Sequence, residues 1–174
     1  MDNEYSILIP VYNEENLLHK LLTNLREYYD NGNEIILIND GSSDNSDLIL
    51  RDCNFINLIT FEENRGKGCA IKAGLLKAKY DSIIVFDSDL EISPDQIKKL
   101  MILNKKEKSS FVLGYRFTHL NPVKSGFDWG NFIFTTFFNI LHGSNHKDTL
   151  CCAKSFYKSD INTSMLSSIG FDID

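Results

Sequence analysis

Residues 85–93, with the sequence VFDSDLEIS, place three carboxylates directly after a run of apolar residues. The acids are Asp87, Asp89 and Glu91, and the apolar residues 83–86 before them are typical of a buried β-strand. Like charges at alternating positions repel one another, and each charged group resists burial. This stretch therefore requires either a bound cation or a turn open to water, and its position in the chain helps to distinguish the two.

Short apolar runs alternate with helical patterns along most of the chain. The predicted strands are residues 5–12, 34–40, 56–61, 82–87 and 110–117. The predicted helices are residues 15–29, 48–53, 66–80 and 94–106, and weaker patterns indicate a helix at 132–143 and a strand within 149–161. Buried strands separated by helices predict a three-layer α/β/α sandwich around a mostly parallel sheet. A length of 174 residues suits one domain with a sizeable core.

Polar residues follow each of the first four predicted strands. They occupy positions 12–14, 40–42, 64–66 and 87–89. In a parallel α/β sheet the carboxyl ends of the strands lie at one edge, where ligands bind, so we expect these four groups to line one cleft. In that position the carboxylates at 87, 89 and 91 suit a hard divalent cation, Mg²⁺ or Mn²⁺.

Two predicted helices carry local signals at their starts. Asn13 is a predicted N-cap for the helix at 15–29, and Pro94 suits the first turn of the helix at 94–106. Capping by Ser93 would give the acidic turn a purely structural explanation, because carboxylates are stabilised near the positive end of a helix. The three acids are thus consistent with two interpretations, a cation site and the entry turn of a helix.

The composition restricts the possible partners and compartments. The net charge of −6 disfavours nonspecific binding to nucleic acid. None of the four cysteines forms a C-x-x-C pair, and without a recognisable leader they are predicted to be reduced thiols in a cytoplasmic protein. The longest apolar run, residues 132–141, is shorter than the roughly 20 residues that a membrane-spanning helix needs. It suits a core helix or one that lies at a membrane surface.

Other functional classes find weaker support. His142 and His146 have a spacing that zinc sites use, but Gly143 and Ser144 argue against a continuous helix, and loop histidines are the simpler interpretation. A dinucleotide-binding fold would require G-x-G-x-x-G after the first strand, and a nucleotidyltransferase would require a Gly-rich basic loop there. Residues 11–16, VYNEEN, provide neither.

Five segments together resemble family 2 glycosyltransferases, which have the GT-A fold. They are SILIPVYNEE (6–15), ILINDGSSDNS (36–46), ENRGKGCAIKAG (63–74), VFDSDLEISPDQI (85–97) and LGYRF (113–117). Their order and spacing are most similar to the branch that contains the dolichyl-phosphate mannose and glucose synthases. No single segment is decisive, whereas five in register are specific. The resemblance is strong over residues 5–117 and weak thereafter.

The resemblance implies a reaction and a site. The reaction moves a sugar from a UDP- or GDP-linked donor to an acceptor such as a polyprenyl phosphate or a glycan, with inversion and a divalent metal. The implied nucleotide-sugar residues are Pro10, Tyr12, Glu14, Asp40, Lys67, Asp87, Ser88 and Arg116. The implied ligands of Mg²⁺ or Mn²⁺ are Asp87, Asp89 and Glu91, and the implied catalytic residues are Asp89 and, as base, Asp148.

The resemblance also implies a division of the chain and a location. Residues 1–117 would form the donor-binding half of a single GT-A domain, and residues 118–174 an acceptor half that stops short of the family's usual length. The implied setting is cytoplasmic, with peripheral contact at the inner face of the membrane and a role in cell-envelope polysaccharide. A catalytically silent donor-binding domain, and less readily a nucleotidyltransferase, remain as alternatives.

Glu91 falls where the lipid-phosphate branch of the family often has Gln, and three further positions depart from the family pattern. Asn39 stands where an acid is usual, Tyr115 replaces a serine, and Cys152 replaces a glycine. Asn39 keeps the size of the acid without its charge. A residue other than glycine at position 152 is strained if the backbone there requires positive φ.

Overall fold

The computed structural model of the protein describes residues 4–107, 109–114, 151 and 153–161. Its helices are α1 (Glu15–Asp30), α2 (Ser46–Arg51), α3 (Lys67–Lys77) and α4 (Ile97–Leu100). Its strands are β1 (Tyr5–Val11), β2 (Glu34–Asn39), β3 (Asn57–Thr60), β4 (Ser82–Val85), β5 (Phe111–Leu113) and β6 (Lys154–Tyr157). Short 3₁₀ turns occur at Pro94–Gln96, Lys105–Glu107 and Lys158–Asp160. The order of these elements confirms the predicted alternation of strands and helices.

The strands form one sheet in the order β3-β2-β1-β4-β6-β5. β1 pairs in parallel with β2 and β4, and β3 extends the parallel part beyond β2. β6 runs antiparallel to both of its neighbours, β4 and β5. Four of the six strands in the described residues are therefore parallel, which confirms the predicted sheet, and β6 confirms the strand predicted within 149–161.

The two faces of the sheet pack against different helices, because successive side chains of a strand point to opposite faces. Ile7 of β1 belongs to an apolar cluster with Leu18 and Leu21 of α1. Its neighbour Leu8 belongs to a second cluster with Leu75 of α3. All five side chains are buried. Helices thus cover both faces of the sheet, which confirms the predicted three layers.

The strand order places a switch point beside β1. From β1 the sheet grows outward through β2 and β3, and the chain then returns to form β4 on the other side of β1. Ligands of open α/β sheets bind in the crevice that such a switch point creates at the carboxyl ends of the strands. The polar groups 12–14 and 87–89 follow these two strands.

The prediction that Asn13 caps α1 is wrong. Asn13 has a positive φ of 56°, and Glu14 occupies the cap position without a side-chain cap hydrogen bond. Oδ1 of Asn13 accepts a hydrogen bond from the N–H of Ser43 at 2.8 Å. The first N–H of α1, that of Glu15, donates to Oδ2 of Asp44 at 3.1 Å. The loop after β2 therefore supplies the capping group.

The helix predicted at 94–106 is shorter than expected. It consists of the 3₁₀ turn Pro94–Gln96 and α4, and it ends at Leu100. The N–H of Leu103 donates to the hydroxyl of Tyr5 at 3.1 Å, and the side chain of Leu103 is buried. This tertiary contact draws the chain toward the sheet instead of along the helix axis. Pro94 occupies the first turn as predicted, and the preceding Ser93 makes no side-chain cap hydrogen bond.

Several predictions concern residues outside the described ranges. They are the helix at 132–143, the zinc alternative at His142 and His146, the departures at Tyr115 and Cys152, and the site residues Arg116 and Asp148. The strand predicted at 110–117 is described in part, as β5. Cys53, Cys69 and Cys151 form no disulfide with any described residue. Among the helices of the described residues, none has the length and apolar character needed to cross a membrane.

Candidate functional site

A cleft of about 240 Å³ lies at the carboxyl ends of β1, β2 and β4. Its lining consists of Pro10, Val11, Tyr12, Glu14, Asp40, Asn64, Lys67, Asp87, Ser88 and Asp89. These residues include members of all four strand-end groups, so the predicted convergence is confirmed. Two larger cavities, of about 1110 Å³ and 860 Å³, lie at the amino ends of β1 and β4 and between α1 and α2. Neither contains a residue predicted for the site.

The cleft gathers seven of the eight residues predicted for the nucleotide sugar, all except Arg116, which is not among the described residues. The predicted base Asp148 is likewise not among them. Asp89 lies in the lining, whereas Glu91, the third predicted metal ligand, is exposed and outside it. Leu90, with a φ of 59°, turns the chain between the two. The structure therefore brings together two of the three predicted metal ligands.

Two residues of the lining were not predicted as ligands. Asn64 belongs to the strand-end group 64–66, so its position after β3 was a usable signal. Val11 is the last residue of β1, and its apolar side chain resembles those of the buried strand before it. Nothing in the sequence distinguishes Val11 from the core.

Asp40 is a buried member of the lining and holds the loop that precedes α3. Asp40 is 3% exposed, and each of its carboxylate oxygens accepts one backbone hydrogen bond. Oδ1 accepts from the N–H of Arg65 at 2.8 Å, and Oδ2 accepts from the N–H of Gly66 at 3.0 Å. Hydrogen bonds to an ionised carboxylate are stronger than those between neutral groups. Asp40 therefore fixes the backbone immediately before Lys67.

Gly41 allows the same loop to approach the end of β2 closely. Its φ is +68°, and a Cβ at this position would lie 2.3 Å from the backbone carbonyl carbon of Glu63. Neither the left-handed backbone nor the close approach tolerates a side chain. The loop before α3 thus packs directly on the turn that follows Asp40.

An ion pair spans the cleft between α3 and the loop after β4. Nζ of Lys67 lies 2.6 Å from Oδ1 of Asp87, and the two side chains are 22% and 32% exposed. Lys67 is the first residue of α3, directly after the backbone that Asp40 holds. Asp40, the loop 65–66, Lys67 and Asp87 therefore form a continuous connection from β2 to the loop after β4.

Two further carboxyl groups of the cleft have raised pKa values. Asp89 is exposed as a whole residue, but protein atoms crowd its carboxyl group, and this desolvation is the largest cause of its raised pKa. The charges of Asp87 and Glu91 raise the pKa of Asp89 further, while that of Lys67 lowers it. Desolvation also raises the pKa of Glu14, followed by the charge of Asp89. Negative charge is therefore concentrated here, which favours a cation.

The carboxylates of the cleft fit a divalent cation that is shared with a ligand. Within the described ranges, no three His, Cys, Asp or Glu side chains converge as in a site made of protein ligands alone. Mg²⁺ is commonly held by one or two carboxylates together with water and substrate phosphates. Asp87 and Asp89 supply two carboxylates to the same small cleft. This donor set suits a cation that bridges the protein and a phosphate group.

The loops after β1 and β2 are tied together beside the cleft. Oγ of Ser42 accepts the N–H of Asn13 at 3.0 Å, and Oγ of Ser46 accepts the N–H of Glu14 at 3.0 Å. Oδ1 of Asp44 accepts the N–H of Ser46 at 2.9 Å while its other oxygen caps α1. These bonds hold the backbone of Glu14, and so the β1 side of the cleft, against α2.

The sequence model of glycosyl transferase family 2 matches residues 6–162, a range that contains every residue of the cleft lining. The chain belongs to glycosyl transferase family 2. The match agrees with the resemblance inferred from five segments. It also continues through β6, beyond the part of the chain where that resemblance is strong.

Curated relatives of this family 2 chain include enzymes named for lipid phosphates. An undecaprenyl-phosphate 4-deoxy-4-formamido-L-arabinose transferase of Proteus mirabilis is 38% identical over 111 residues, covering 57% of this chain and 33% of the relative. A dolichyl-phosphate beta-glucosyltransferase of Trichomonas vaginalis is 35% identical over 139 residues, covering 69% and 41%. An uncharacterized glycosyltransferase of Bacillus subtilis is 38% identical over 105 residues, covering 56% and 32%. The family 2 chain thus spans about a third to two fifths of the length of these relatives.

Solved structures of glycosyltransferases share the fold of this family 2 chain. Glucosyl-3-phosphoglycerate synthase from Mycobacterium tuberculosis, in complex with UDP, has a TM-score of 0.71 and 16% identity, covering 90% of this chain and 57% of that one. S. aureus TarS 1-349, in complex with UDP-GlcNAc, has a TM-score of 0.61 and 20% identity, covering 90% and 46%. These similarities concern the fold, and they confirm the predicted GT-A architecture.

Proposed function

We propose that this family 2 chain binds a nucleoside-diphosphate sugar together with a divalent cation and transfers the sugar to an acceptor. The observation that carries the proposal is the convergence of four strand-end groups in one cleft, with two aspartates beside a lysine. Paired carboxylates suit a divalent cation, and an ammonium suits a phosphate. A diphosphate satisfies both requirements at once.

The end of β1 is proposed to bind the base and the ribose. Pro10, Tyr12 and Glu14 line this part of the cleft, and Tyr12 is 48% exposed, so it is accessible to a ligand. Asp40 is proposed to contact the base as well as to anchor the loop before α3. Ser88, between the two aspartates of the loop after β4, is proposed to contact the sugar nucleotide.

Asp87 and Asp89 are the proposed ligands of Mg²⁺ or Mn²⁺, with Glu91 as a further ligand from the same turn. Such a cation, when bound, supplies positive charge that stabilises the departing nucleoside diphosphate. A complex of the M. tuberculosis synthase, with a TM-score of 0.63 and 16% identity, contains Mn²⁺ with UDP and glucosyl-3-phosphoglycerate. Glu91 lies outside the cleft lining, so its proposed role as a metal ligand rests on its position in the same turn as Asp89.

The proposed reaction is a direct displacement with inversion. An oxygen of the acceptor forms a bond to the anomeric carbon while the bond from that carbon to the diphosphate breaks. Orientation of the donor and stabilisation of the leaving charge by Lys67 supply most of the catalysis. Arg116 is proposed to lie near the diphosphate or the acceptor phosphate. A phosphate acceptor needs no base, whereas a hydroxyl acceptor needs one, for which Asp148 is proposed.

A polyprenyl phosphate is the proposed acceptor, because two relatives are named for undecaprenyl phosphate and dolichyl phosphate. Such an acceptor resides in a membrane, so peripheral contact at its inner face belongs to the same proposal. Residues 1–117 are proposed to form the donor half of the domain and residues 118–174 the acceptor half. The proposed donor is a sugar linked to either UDP or GDP.

Thermal unfolding with nucleoside diphosphates tests the donor site. We expect UDP or GDP to raise the melting temperature in the presence of Mn²⁺ and not in its absence, because a ligand that binds only the folded state stabilises it. Asp89→Asn should remove this Mn²⁺-dependent shift, while its amide oxygen can still accept the N–H of Glu91 that Asp89 now binds at 2.9 Å. Asp52→Asn, at an exposed position beyond α2, is the matched control. A wild-type chain that no diphosphate stabilises would contradict the proposal.

A product assay tests the transfer step. The chain is incubated with Mn²⁺, a polyprenyl phosphate and labelled UDP- and GDP-sugars. Glycosylated lipid supports the full proposal, and release of free sugar supports a donor site without productive acceptor binding. Donor binding with neither product would favour the alternative of a catalytically silent binding domain.

A further inference from the structure

The ion pair between Lys67 and Asp87 places a protein cation on a carboxylate that is a proposed metal ligand. Nζ of Lys67 lies 2.6 Å from Oδ1 of Asp87. We propose, building on the proposed function, that Lys67 competes with the divalent cation for Asp87 and moves to the diphosphate when the donor binds. Metal binding by this chain then depends on the nucleotide.

The competition follows from charge and distance. A divalent cation of this kind lies about 2.1 Å from a carboxylate oxygen that binds it. An ammonium that still paired with the same carboxylate oxygen would then lie within about 5 Å of a doubly charged ion, and the second oxygen of the carboxylate would add only about 2 Å to that separation. Both side chains are less than one third exposed, so water screens this repulsion less than it would at an open surface. Lys67 must therefore leave Asp87, or the cation binds weakly.

A diphosphate removes this conflict. Its oxygens carry several negative charges and accept strong hydrogen bonds from an ammonium group. The cation and Lys67 can then each keep an anionic partner, because the diphosphate adds negative charge to that of the carboxylates in the cleft. In the absence of the ligand, the ammonium of Lys67 and the divalent cation both draw on the carboxylate of Asp87.

The backbone around Lys67 allows this exchange to involve the side chain alone. Asp40 holds the N–H groups of Arg65 and Gly66, and α3 begins at Lys67. The Cα of Lys67 is thus fixed, while its flexible four-carbon stem lets the ammonium move between neighbouring partners. Asp87 and Lys67 both line the cleft, so both partners of the exchange face the proposed ligand.

Titration calorimetry with Mn²⁺ alone tests the competition. Lys67→Met removes the charge and keeps most of the unbranched side-chain length, whereas Lys67→Arg keeps the charge. We expect Lys67→Met to bind Mn²⁺ about two- to fivefold more tightly than the wild type, the range typical of a partly exposed ion pair, and Lys67→Arg to resemble the wild type. Lys77→Met, at the exposed far end of α3, controls for the change in net charge.

The competition is overturned if Lys67→Met binds Mn²⁺ no more tightly than Lys77→Met. It is also overturned if neither the wild type nor Lys67→Met binds Mn²⁺ measurably, because removal of Lys67 should make Asp87 available. Melting temperatures of the metal-free variants establish that each is folded. Unfolding of a variant would disperse the carboxylates of the cleft and weaken its metal site. Tighter binding of Mn²⁺ by Lys67→Met is therefore not explained by a loss of folding.

A second titration tests the movement to the diphosphate. With Mn²⁺ present, Lys67→Met should bind the nucleoside diphosphate roughly ten- to a hundredfold more weakly than the wild type, because a charge-assisted hydrogen bond is lost. The affinity for the corresponding nucleoside monophosphate, which is one phosphate shorter, should fall less in this variant. Equal losses for the two nucleotides would overturn this part of the proposal.

These outcomes distinguish this inference from the proposed function. If the wild type binds Mn²⁺ but no nucleoside diphosphate, the proposed donor site fails, while the effect of Lys67→Met on Mn²⁺ alone still decides the competition. If the wild type binds the diphosphate and Lys67→Met changes neither the affinity for Mn²⁺ nor the affinity for the diphosphate, the proposed donor site stands and this inference fails.

Discussion

Nδ2 of Asn39 donates a hydrogen bond to Oδ1 of Asp47 at 2.9 Å and so links the end of β2 to α2. Asn39 is 1% exposed, and its Oδ1 accepts the N–H of Ser42 at 3.0 Å. The hydrogen bond from Arg51 is the largest cause of the lowered pKa of Asp47, and the one from Asn39 contributes. An acid at position 39, as the family pattern has, would oppose a carboxylate here. The departure to Asn39 therefore has a structural reason.

Asn39→Asp should lower the free energy of unfolding by about 1–3 kcal/mol at neutral pH, because a buried donor becomes a second carboxylate. Burial and Asp47 would raise the folded-state pKa of the new carboxyl group, so the deficit should shrink as the pH falls through that pKa. Urea unfolding at several pH values measures both effects. Asp47→Asn added to Asn39→Asp restores a donor and should recover most of the loss. Full stability of Asn39→Asp at neutral pH would contradict this explanation.

Gly41→Ala should destabilise the protein more than Gly32→Ala. Both glycines have positive φ, of +68° and +90°, so both changes cost the left-handed strain of roughly 1–2 kcal/mol. At Gly41 the new Cβ would also lie 2.3 Å from the backbone of Glu63, whereas at Gly32 the nearest atom, Oε1 of Glu4, is 3.4 Å away. We expect a total loss of roughly 3 kcal/mol or more for Gly41→Ala, measured by denaturant unfolding. Equal losses would mean that the loop before α3 moves away at little cost.

Asp40→Asn should weaken the nucleoside diphosphate and leave the binding of Mn²⁺ alone unchanged. The substitution leaves one oxygen acceptor where the N–H groups of Arg65 and Gly66 now have two. The free energy of unfolding should fall by about 1–3 kcal/mol, and the diphosphate affinity by roughly ten- to a hundredfold. Calorimetry with and without the nucleotide measures the two affinities. Wild-type stability would show that Asp40 does not anchor the loop.

Acidification should weaken Mn²⁺ binding at a pH above the ordinary aspartate pKa of 3.8, because the pKa of Asp89 is raised. A protonated carboxyl group is a poor cation ligand, so the Mn²⁺-dependent rise in melting temperature should decline as the pH falls through the pKa of Asp89. The contribution of Asp89 to metal-free stability has the opposite sign, because folding disfavours its charged form. Melting curves with and without Mn²⁺, from about pH 4 to pH 7, measure both trends. A Mn²⁺ shift that stays constant down to the ordinary pKa would contradict the assignment of Asp89.

Patterns among residues adjacent in the sequence were sufficient to predict the sheet and the cleft. The apolar runs of β1, β2 and β4 are buried on both faces, and such runs are typical of parallel strands between helices. Once the strands are parallel, their carboxyl ends lie together, so the polar groups that follow them must meet. The convergence of Tyr12, Asp40 and Asp87 follows from that geometry alone.

Only the tertiary structure decided which partners these side chains take. The cap of α1 comes from Asp44, the helix after Pro94 ends where Leu103 meets Tyr5, and Asp40 and Lys67 bind groups on other loops. Hydrophobic period and turn chemistry are properties of adjacent residues, which the sequence by itself displays. The partner of a polar side chain is set instead by which distant segments the packed core brings within hydrogen-bond distance, and that depends on the whole fold.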